Sequence, residues 1–357
     1  MRGTAAGPEK VRRARVSDGV SPKARPMSTA PRRPGFRARR RACFWAGIPL
    51  EWADMQLSES IAKASVLVEA LPYIADFRGE IVVVKLGGSV QEDEAALASL
   101  LTDVAFMHVV GMQPIVVHGG GKAITRALAE AGVASRFLCG FRVTDAQTLG
   151  IMEKTVKEQV NARIVEMLRG HGVPAAPLHG DAVVFATRKT GRDPETGETL
   201  DWGFVGEPVH CDTGPVRAML QAGTIPVVTP LGRGADGSVY NVNADDAAAA
   251  IARALPSRKL VYVSDVPGLL RDPKDPGSLI ETLRAGEVPA LERDGVISGG
   301  MIPKIESSLS ALRAGVRKVH LVDGRMPHSL LLEIFTTQGV GTQIVRDDFK
   351  EPTRNAK

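Results

Sequence analysis
The sequence predicts an α/β fold, a mainly parallel sheet with helices on both faces. Three observations predict it. Short apolar runs alternate with helix-length segments along the body of the chain. Aromatic residues make up 4% of the 357 residues while alanine, glycine and valine abound, which suits close helix-on-sheet layers better than an aromatic-rich sandwich. Two of the apolar runs are followed by consecutive glycines, at the strand ends where such sheets bind ligands.

Each element follows from its local pattern. Residues 58–76 read as a helix: Ser58 can cap it, and Ile61, Ala64, Leu67, Val68 and Leu71 recur at helical spacing. Pro72 is expected to bend or break it. Its apolar stripe packs either on its own domain or on a neighbouring subunit. Residues 81–86 form a buried strand, 92–110 a helix, 114–117 a second strand and 121–131 a second helix. A long helix covers 145–169. Residues 182–187 and 203–209 read as a hairpin joined by a polar loop at 188–200. Helix 213–222 and strand 225–229 follow, then helix 244–254 with strand 259–263 and helix 302–314 with strand 317–321. Helix 327–336 and a strand at 343–346 close the body.

With 44% hydrophobic and 24% charged residues, the chain can bury a sizeable core in one large or two moderate domains. The net charge of +5 is unevenly spread. Residues 1–50 carry 13 Lys/Arg against Glu9 and Asp18, a local charge of +11, so the remainder carries −6. A mildly acidic body does not suggest nucleic-acid binding through the fold. Residues 1–55 are rich in Arg, Pro, Ala and Gly and lack an apolar period. They read as a disordered extension or a start codon set too far upstream, with Met27 or Met55 as later candidates; as an organelle transit peptide; or as a nucleic-acid or membrane tether. Cys43, Cys139 and Cys211 are scattered without CxxC or Cys/His spacing, so neither a metal site nor a disulfide framework is read, and a cytoplasmic setting is expected. No apolar run approaches the ~18–20 residues of a membrane span.

Five loops carry candidate chemistry. Lys85 ends a buried strand and Gly87-Gly88 follow, a turn in which backbone N–H groups approach an anion closely while the lysine balances its charge. His118-Gly119-Gly120-Gly121 stands between the second strand and its helix, another anion cradle. Arg142, flanked by apolar residues, can pair a carboxylate with both arms of its guanidinium. Asn241, Asn243, Asp245 and Asp246 cluster before an Ala-rich helix; capping explains one of them, not all. Lys304 follows Gly299-Gly300 and Pro303 at a helix N-terminus, where the dipole and its own charge both favour phosphate. No GxxxxGK[ST] loop occurs. Taken singly, a glycine turn, a capped helix and a solvated lysine would account for most of these. Together they suit phosphoryl transfer, which needs in-line positioning and charge neutralisation: Lys85 and Lys304 flank the moving group, Asp245 holds both lysines, and Mg2+ bridges the nucleotide phosphates.

The motifs VVVKLGGS, VVHGGG, GFRVT, NVNAD, SDVPGLL and ISGGMIPK, in this order, resemble the acetylglutamate kinase branch of the amino acid kinase family from about residue 58 to 346. The resemblance implies a three-layer αβα sandwich with a central, mainly parallel eight-stranded sheet. It implies an N-terminal lobe at 78–230 for the acylated amino acid and a C-terminal lobe at 231–350 for ATP. Lys85, Lys304 and Asp245 then take the catalytic positions and Gly87 and Gly88 cover the ATP phosphates. Ser264 and Asp265 line the nucleotide pocket. Gly120, Gly121, Arg142 and Asn241 contact acetylglutamate, with Arg142 on the α-carboxylate. The segment EALPYIADFRG is similar to the N-terminal helix of the arginine-inhibited, hexameric subgroup. By the same resemblance His320, Glu333 and the turn Gly339, Gly341, Thr342 hold arginine. A homohexamer and a PII-type signalling protein are the macromolecular partners it brings into view. Two departures stand out: Lys122-Ala123 replace the usual Pro and acid or amide after the triple glycine, and His179-Gly180-Asp181 lacks a frequent lysine. Competing readings are another acceptor on the same scaffold (aspartate, glutamate, carrier-bound aminoadipate, carbamate or UMP), a catalytically silent arginine sensor, and a nucleic-acid binder acting through the basic tail.

Overall fold
The computed structural model describes residues 50–192, 197–336 and 339–350. From Ser60 onward the described residues form one compact unit. Helix α1 (Leu50–Phe77) leads into β1 (Ile81–Leu86), a short α2 (Gly88–Glu92), α3 (Glu94–Val109), β2 (Gln113–His118) and α4 (Gly121–Glu130). A small hairpin, β3 (Phe137–Leu138) and β4 (Phe141–Arg142), precedes α5 (Ala146–Lys154), a π-helical segment Thr155–Asn161 and α6 (Ala162–Gly170). Next come β5 (Ala175–Leu178), β6 (Val184–Arg192), β7 (Thr199–Cys211), α7 (Gly214–Gln221), β8 (Ile225–Val228), β9 (Leu231–Arg233) and β10 (Val239–Val242). The last third holds α8 (Ala244–Ala254), β11 (Ser257–Ser264), β12 (Thr282–Arg284), α9 (Val288–Arg293), α10 (Met301–Arg313), β13 (Lys318–Asp323), α11 (Ser329–Phe335) and β14 (Thr342–Val345).

Eight strands form the main sheet in the order β12-β14-β13-β11-β1-β2-β8-β5, parallel except for the β13–β14 pair. This is the mainly parallel, eight-stranded sheet expected. β1 is its centre, and all six of its residues are buried because helices cover both faces. Val83, Val117, Tyr262 and Leu321 pack on one side against α7, α8, α9 and α10. Val84, Val116, Val261 and Val322 pack on the other against α3, α6 and α11. Burying each such side chain contributes roughly 1.5–3 kcal/mol before chain entropy is subtracted. A second, closed sheet, β10-β7-β6-β9, joins the core on the α7–α10 side through Val184, Ala186, Tyr240 and Val242.

Four expectations change. Helix α1 begins at Leu50, so the helix is longer than 58–76 and takes in the end of the segment 1–55; no Pro or Gly occurs between Leu50 and Leu71 to stop it. The readings of residues 1–49 lie outside the described residues. Pro72 does not end α1, which continues to Phe77 at the expense of the Val68 carbonyl's donor. That last turn is anchored: Tyr73 and Phe77 are buried, and the Arg258 guanidinium lies 4.2 Å from the Phe77 ring centroid. The predicted loop at 188–200 is largely strand, since β6 runs to Arg192 and β7 starts at Thr199. Polar residues there belong to an exposed ribbon, where polarity does not argue against strand. Finally β5, β9, β10 and β12 carry no sequence signal of their own. They have only three or four residues each and take their hydrogen bonds from strands that do.

Candidate active site
β1 and β11 are neighbours, and the chain leaves them toward opposite faces of the sheet. That divergence opens a crevice beyond their carboxyl ends. Lys85 is the fifth residue of β1 and points to the α8–α10 face, in register with Tyr262 of β11. Asp245 stands in the first turn of α8, where Asn243 caps the helix by accepting the Asp245 N–H at 2.8 Å. Lys304 stands in the first turn of α10. These three elements place Lys85 Nζ 2.7 Å from Asp245 Oδ1 and Lys304 Nζ 2.7 Å from Asp245 Oδ2. The three side chains are between 11 and 14% exposed, enough for a ligand to touch the ammoniums.

Electrostatics follow from this geometry. Burial would raise the Asp245 carboxyl, but Lys85 and Lys304 outweigh it and hold the group at about 2. Burial depresses the Lys304 ammonium below its ordinary value, with Asp245 opposing and Lys85 adding to the depression. Tyr262 lies beneath: its ring centroid is 5.0 Å from Lys304 Nζ and its hydroxyl donates to the Asp245 carbonyl at 3.3 Å. Ser307 donates to the Asp246 carboxylate and so ties α10 to α8. Sequence reasoning passed over Tyr262 and Ser307 and placed Asp246 in the cluster before α8 without a role of its own. A lone polar residue in the apolar run of β11 was the available signal for Tyr262.

The two glycine loops meet. The Gly87 N–H donates to the Val263 carbonyl at 2.8 Å, and a Cβ on Gly87 would fall 2.7 Å from that same oxygen. Only glycine lets the loop pass so close to β11. A Cβ on Gly88 would lie 3.9 Å from the Gly121 nitrogen, so both cradles face one space. Ser264 ends β11 beside Gly87 and Asp265 follows it, and the Ser264 hydroxyl is buried without a partner among the described residues.

On the other side of the triple glycine, Arg142 is buried at the end of β4. It donates to the Gly121 carbonyl at 3.2 Å, to Thr125 Oγ1 at 2.9 Å and to Ser135 Oγ, and its guanidinium lies 4.6 Å from the Phe137 ring centroid. No carboxylate pairs with it among the described residues. Thr144 continues the chain of contacts, donating to the Arg142 carbonyl at 2.8 Å and accepting from Asn241 Nδ2 at 3.3 Å. Gly120, Gly121, Arg142 and Asn241, though distant in sequence, therefore form one wall.

A second cluster lies on the opposite face of the sheet. His320 of β13 is in register with Val261, on the α3–α11 side. Its Nδ1 bonds to Glu333 Oε1 of α11, and Glu333 Oε2 accepts the N–H groups of Val340 at 2.7 Å and Gly341 at 3.0 Å. Glu333 is 6% exposed, which a surface acid would not be. Burial pushes its carboxyl up, and the His320 hydrogen bond leads the contacts that bring it below its ordinary value. Burial pushes His320 down to about 4, so a neutral imidazole faces a carboxylate. Gly339 (φ 68°) turns tightly over Glu333. Thr342 belongs to the same turn, but its hydroxyl accepts from the Leu269 N–H at 2.8 Å, away from Glu333.

Among the described residues no three His, Cys, Asp or Glu side chains gather as a metal cage, and no helix is long and apolar enough to cross a membrane. A model of the amino acid kinase family matches residues 80–323. Acetylglutamate kinase of Pelotomaculum thermopropionicum is 47% identical over 287 residues, covering 79% of this chain and 97% of that protein. The enzyme of the same name from Akkermansia muciniphila is 43% identical over 295 residues, covering 82% and 99%. Among solved structures, N-acetylglutamate synthase of Neisseria gonorrhoeae, complexed with coenzyme A and N-acetyl-glutamate, superposes with a TM-score of 0.69 at 30% identity. The match covers 80% of this chain and 64% of that one. A sheet with two glycine cradles, a Lys–Asp–Lys centre and relatives of this similarity admit one placement: the chain belongs to the amino acid kinase family, among its acetylglutamate kinases.

Proposed function
We propose that the protein transfers the γ-phosphoryl group of ATP to the side-chain carboxylate of N-acetyl-L-glutamate, giving N-acetyl-L-glutamyl 5-phosphate, the second step of arginine synthesis. The observation that carries this reading is the Lys85–Asp245–Lys304 centre. Two ammoniums converge on one carboxylate in a crevice lined by two glycine loops, which is the charge pattern a moving phosphoryl group requires. In the transfer an acceptor carboxylate oxygen forms a bond to the γ-phosphorus, and the bond from phosphorus to the bridging oxygen breaks. ADP leaves with that electron pair. The acceptor is already ionised at neutral pH, so no general base is needed. Lys85 and Lys304 neutralise charge on the oxygens in flight, while Asp245, ionised down to about pH 2, keeps the ammoniums in place.

We assign the acceptor to the 78–230 lobe and ATP to the 231–350 lobe. Arg142, a buried guanidinium with no carboxylate partner among the described residues, supports an acceptor with a second carboxylate, since an unpaired buried charge is costly. Both Asp245 oxygens are taken by lysines, so the donor set suits Mg2+ carried in on the nucleotide phosphates rather than a protein-held ion. When bound, Mg2+ supplies charge neutralisation across those phosphates. A cytoplasmic reaction accords with the scattered cysteines. Feedback inhibition by arginine is supported by the buried His320–Glu333 pair and the glycine turn over it.

The test is ADP release by the purified protein with N-acetyl-L-glutamate, aspartate, glutamate, carbamate or UMP as acceptor, with and without millimolar arginine. Turnover with aspartate or UMP but not N-acetyl-L-glutamate would overturn the acceptor assignment. Undiminished turnover in arginine would overturn the regulatory one.

A further inference from the structure
β2 ends in His118, whose imidazole is fully buried and has no part in the reaction as described above. Its Nδ1 lies 2.7 Å from the Gly119 carbonyl. A carbonyl only accepts, so Nδ1 carries the proton. The other ring nitrogen, Nε2, lies 3.0 Å from Asn161 Nδ2, and that amide nitrogen also donates to the Val227 carbonyl at 2.8 Å. Turning the amide over would set its oxygen against the Val227 carbonyl. Val227 thus fixes the amide, the amide fixes Nε2 as an acceptor, and the ring is neutral. Burial acts in the same sense, lowering His118 to about 4.

The π-helical segment explains why Asn161 reaches this spot. Its wider turn brings residues five apart onto one face. Val156 and Asn161 are both fully buried; Val156 would lie 3.0 Å from a Cβ on Gly120, and Asn161 bonds His118. An α-helical turn would carry one of them round the axis.

The consequence falls on the glycine cradle. The Gly119 N–H donates to the Leu86 carbonyl at 3.2 Å, and its carbonyl is held by His118. That carbonyl belongs to the Gly119–Gly120 peptide plane, so His118 holds this plane through its carbonyl side. In a trans peptide the N–H points opposite to the carbonyl. The Gly120 N–H accordingly points away from His118, and it finds no protein acceptor among the described residues.

We propose that His118, locked by Asn161 in its neutral Nδ1–H tautomer, is a positioning residue that aims the Gly120 N–H at the anionic acceptor. The role of the cradle rests on the acceptor reading above; the tautomer does not. Two measurements test it. Histidine 15N shifts of the full chain near neutral pH, assigned by the signal lost in His118→Asn, are expected to show protonated Nδ1 and bare Nε2. A protonated Nε2 overturns the proposal. In kinetics, His118→Asn retains an amide N–H near the Nδ1 position and His118→Leu does not. The KM for N-acetyl-L-glutamate is expected to rise about tenfold in His118→Leu and less than about threefold in His118→Asn, with the KM for ATP unchanged within about twofold. Equal losses in the two variants, or parallel changes in both KM values, show packing alone and overturn it. If the leucine variant does not fold, Asn161→Asp replaces it. A carboxylate facing Nε2 should draw the proton there in the 15N spectrum and raise the acceptor KM, and a wild-type acceptor KM would overturn the proposal. Wild-type protein that does not turn over N-acetyl-L-glutamate counts against the acceptor reading, and the 15N shifts still decide the relay.

Discussion

Asp245 serves two masters, and most of the residue-scale chemistry follows from that. Replacing Lys304 by Ala removes one of two charges on the transferring group, and kcat should fall by about 10²–10³ as read by ADP release. Near wild-type turnover would remove Lys304 from the centre. Asp245→Asn leaves two buried ammoniums facing each other, at a stability cost on the order of 3 kcal/mol. It should also lower the alkaline limb of the kcat/KM profile. Burial already depresses Lys304, and Asp245 is the charge opposing that depression. A limb that stays put or moves up would contradict this. The folded-state carboxyl of Asp245 lies at about 2 against an ordinary 3.8, so its stabilisation is full above about pH 4 and lost as pH falls through about 2. That is on the order of 2 kcal/mol. Urea midpoints between pH 4 and 2 should therefore fall less steeply in Asp245→Asn than in the wild type.

Elements decide where such residues meet. Gly341 shows how tightly β14 is pressed on β13: a Cβ there would fall 2.1 Å from the Leu321 carbonyl oxygen, against backbone that cannot step aside. Gly341→Ala should cost roughly 1–3 kcal/mol in chemical denaturation. It should also raise the arginine concentration for half-inhibition, because the Gly341 N–H is one of the donors to Glu333. An alanine variant with wild-type stability and arginine response would contradict both the packing and the site. The π-helical segment is a second case. From sequence, residues 145–169 read as one long helix, which is correct in extent. The wider turn inside it is invisible to an apolar-period argument because the deviation lasts only Thr155–Asn161. Pro72 is a third: proline marks a lost hydrogen bond, but the buried anchors Tyr73 and Phe77 beyond it keep the helix going.

At the scale of the whole molecule, the exposed stripe of α1 matters most. Ile61, Leu67, Val68 and Leu71 are each more than half exposed, on a helix whose last turn is anchored by Tyr73 and Phe77. This is the contiguous apolar surface expected of an association element, and it supports the homohexamer the resemblance implies. Leu67→Glu combined with Leu71→Glu should lower the mass found by light scattering while leaving kcat for N-acetyl-L-glutamate within about twofold, since neither residue touches the centre. An unchanged mass would place the association elsewhere. The His320–Glu333 cluster, proposed for arginine, and the Lys85–Asp245–Lys304 centre lie on opposite faces of one sheet. Under the proposed inhibition, arginine acts either through β13 and β11 or through association of subunits, and the double variant separates these by whether arginine still lowers turnover.

The Lys–Asp–Lys centre thus has two origins. What the sequence by itself determined was the order of the longer strands and helices, the glycine cradles and the residues belonging to them. Apolar period, glycine and capping act over a few residues and can be read there, and motif order carried the acceptor. Only the tertiary structure decided that Asp245 lies 2.7 Å from both lysines, that Arg142 bonds the Gly121 carbonyl, that Glu333 is buried under a glycine turn, and that His118 and Asn161 stand behind the cradle. Most of those pairings join residues far apart in the chain. They depend on strand order and register, which arise from packing the whole sheet between its helices and leave no mark in local composition.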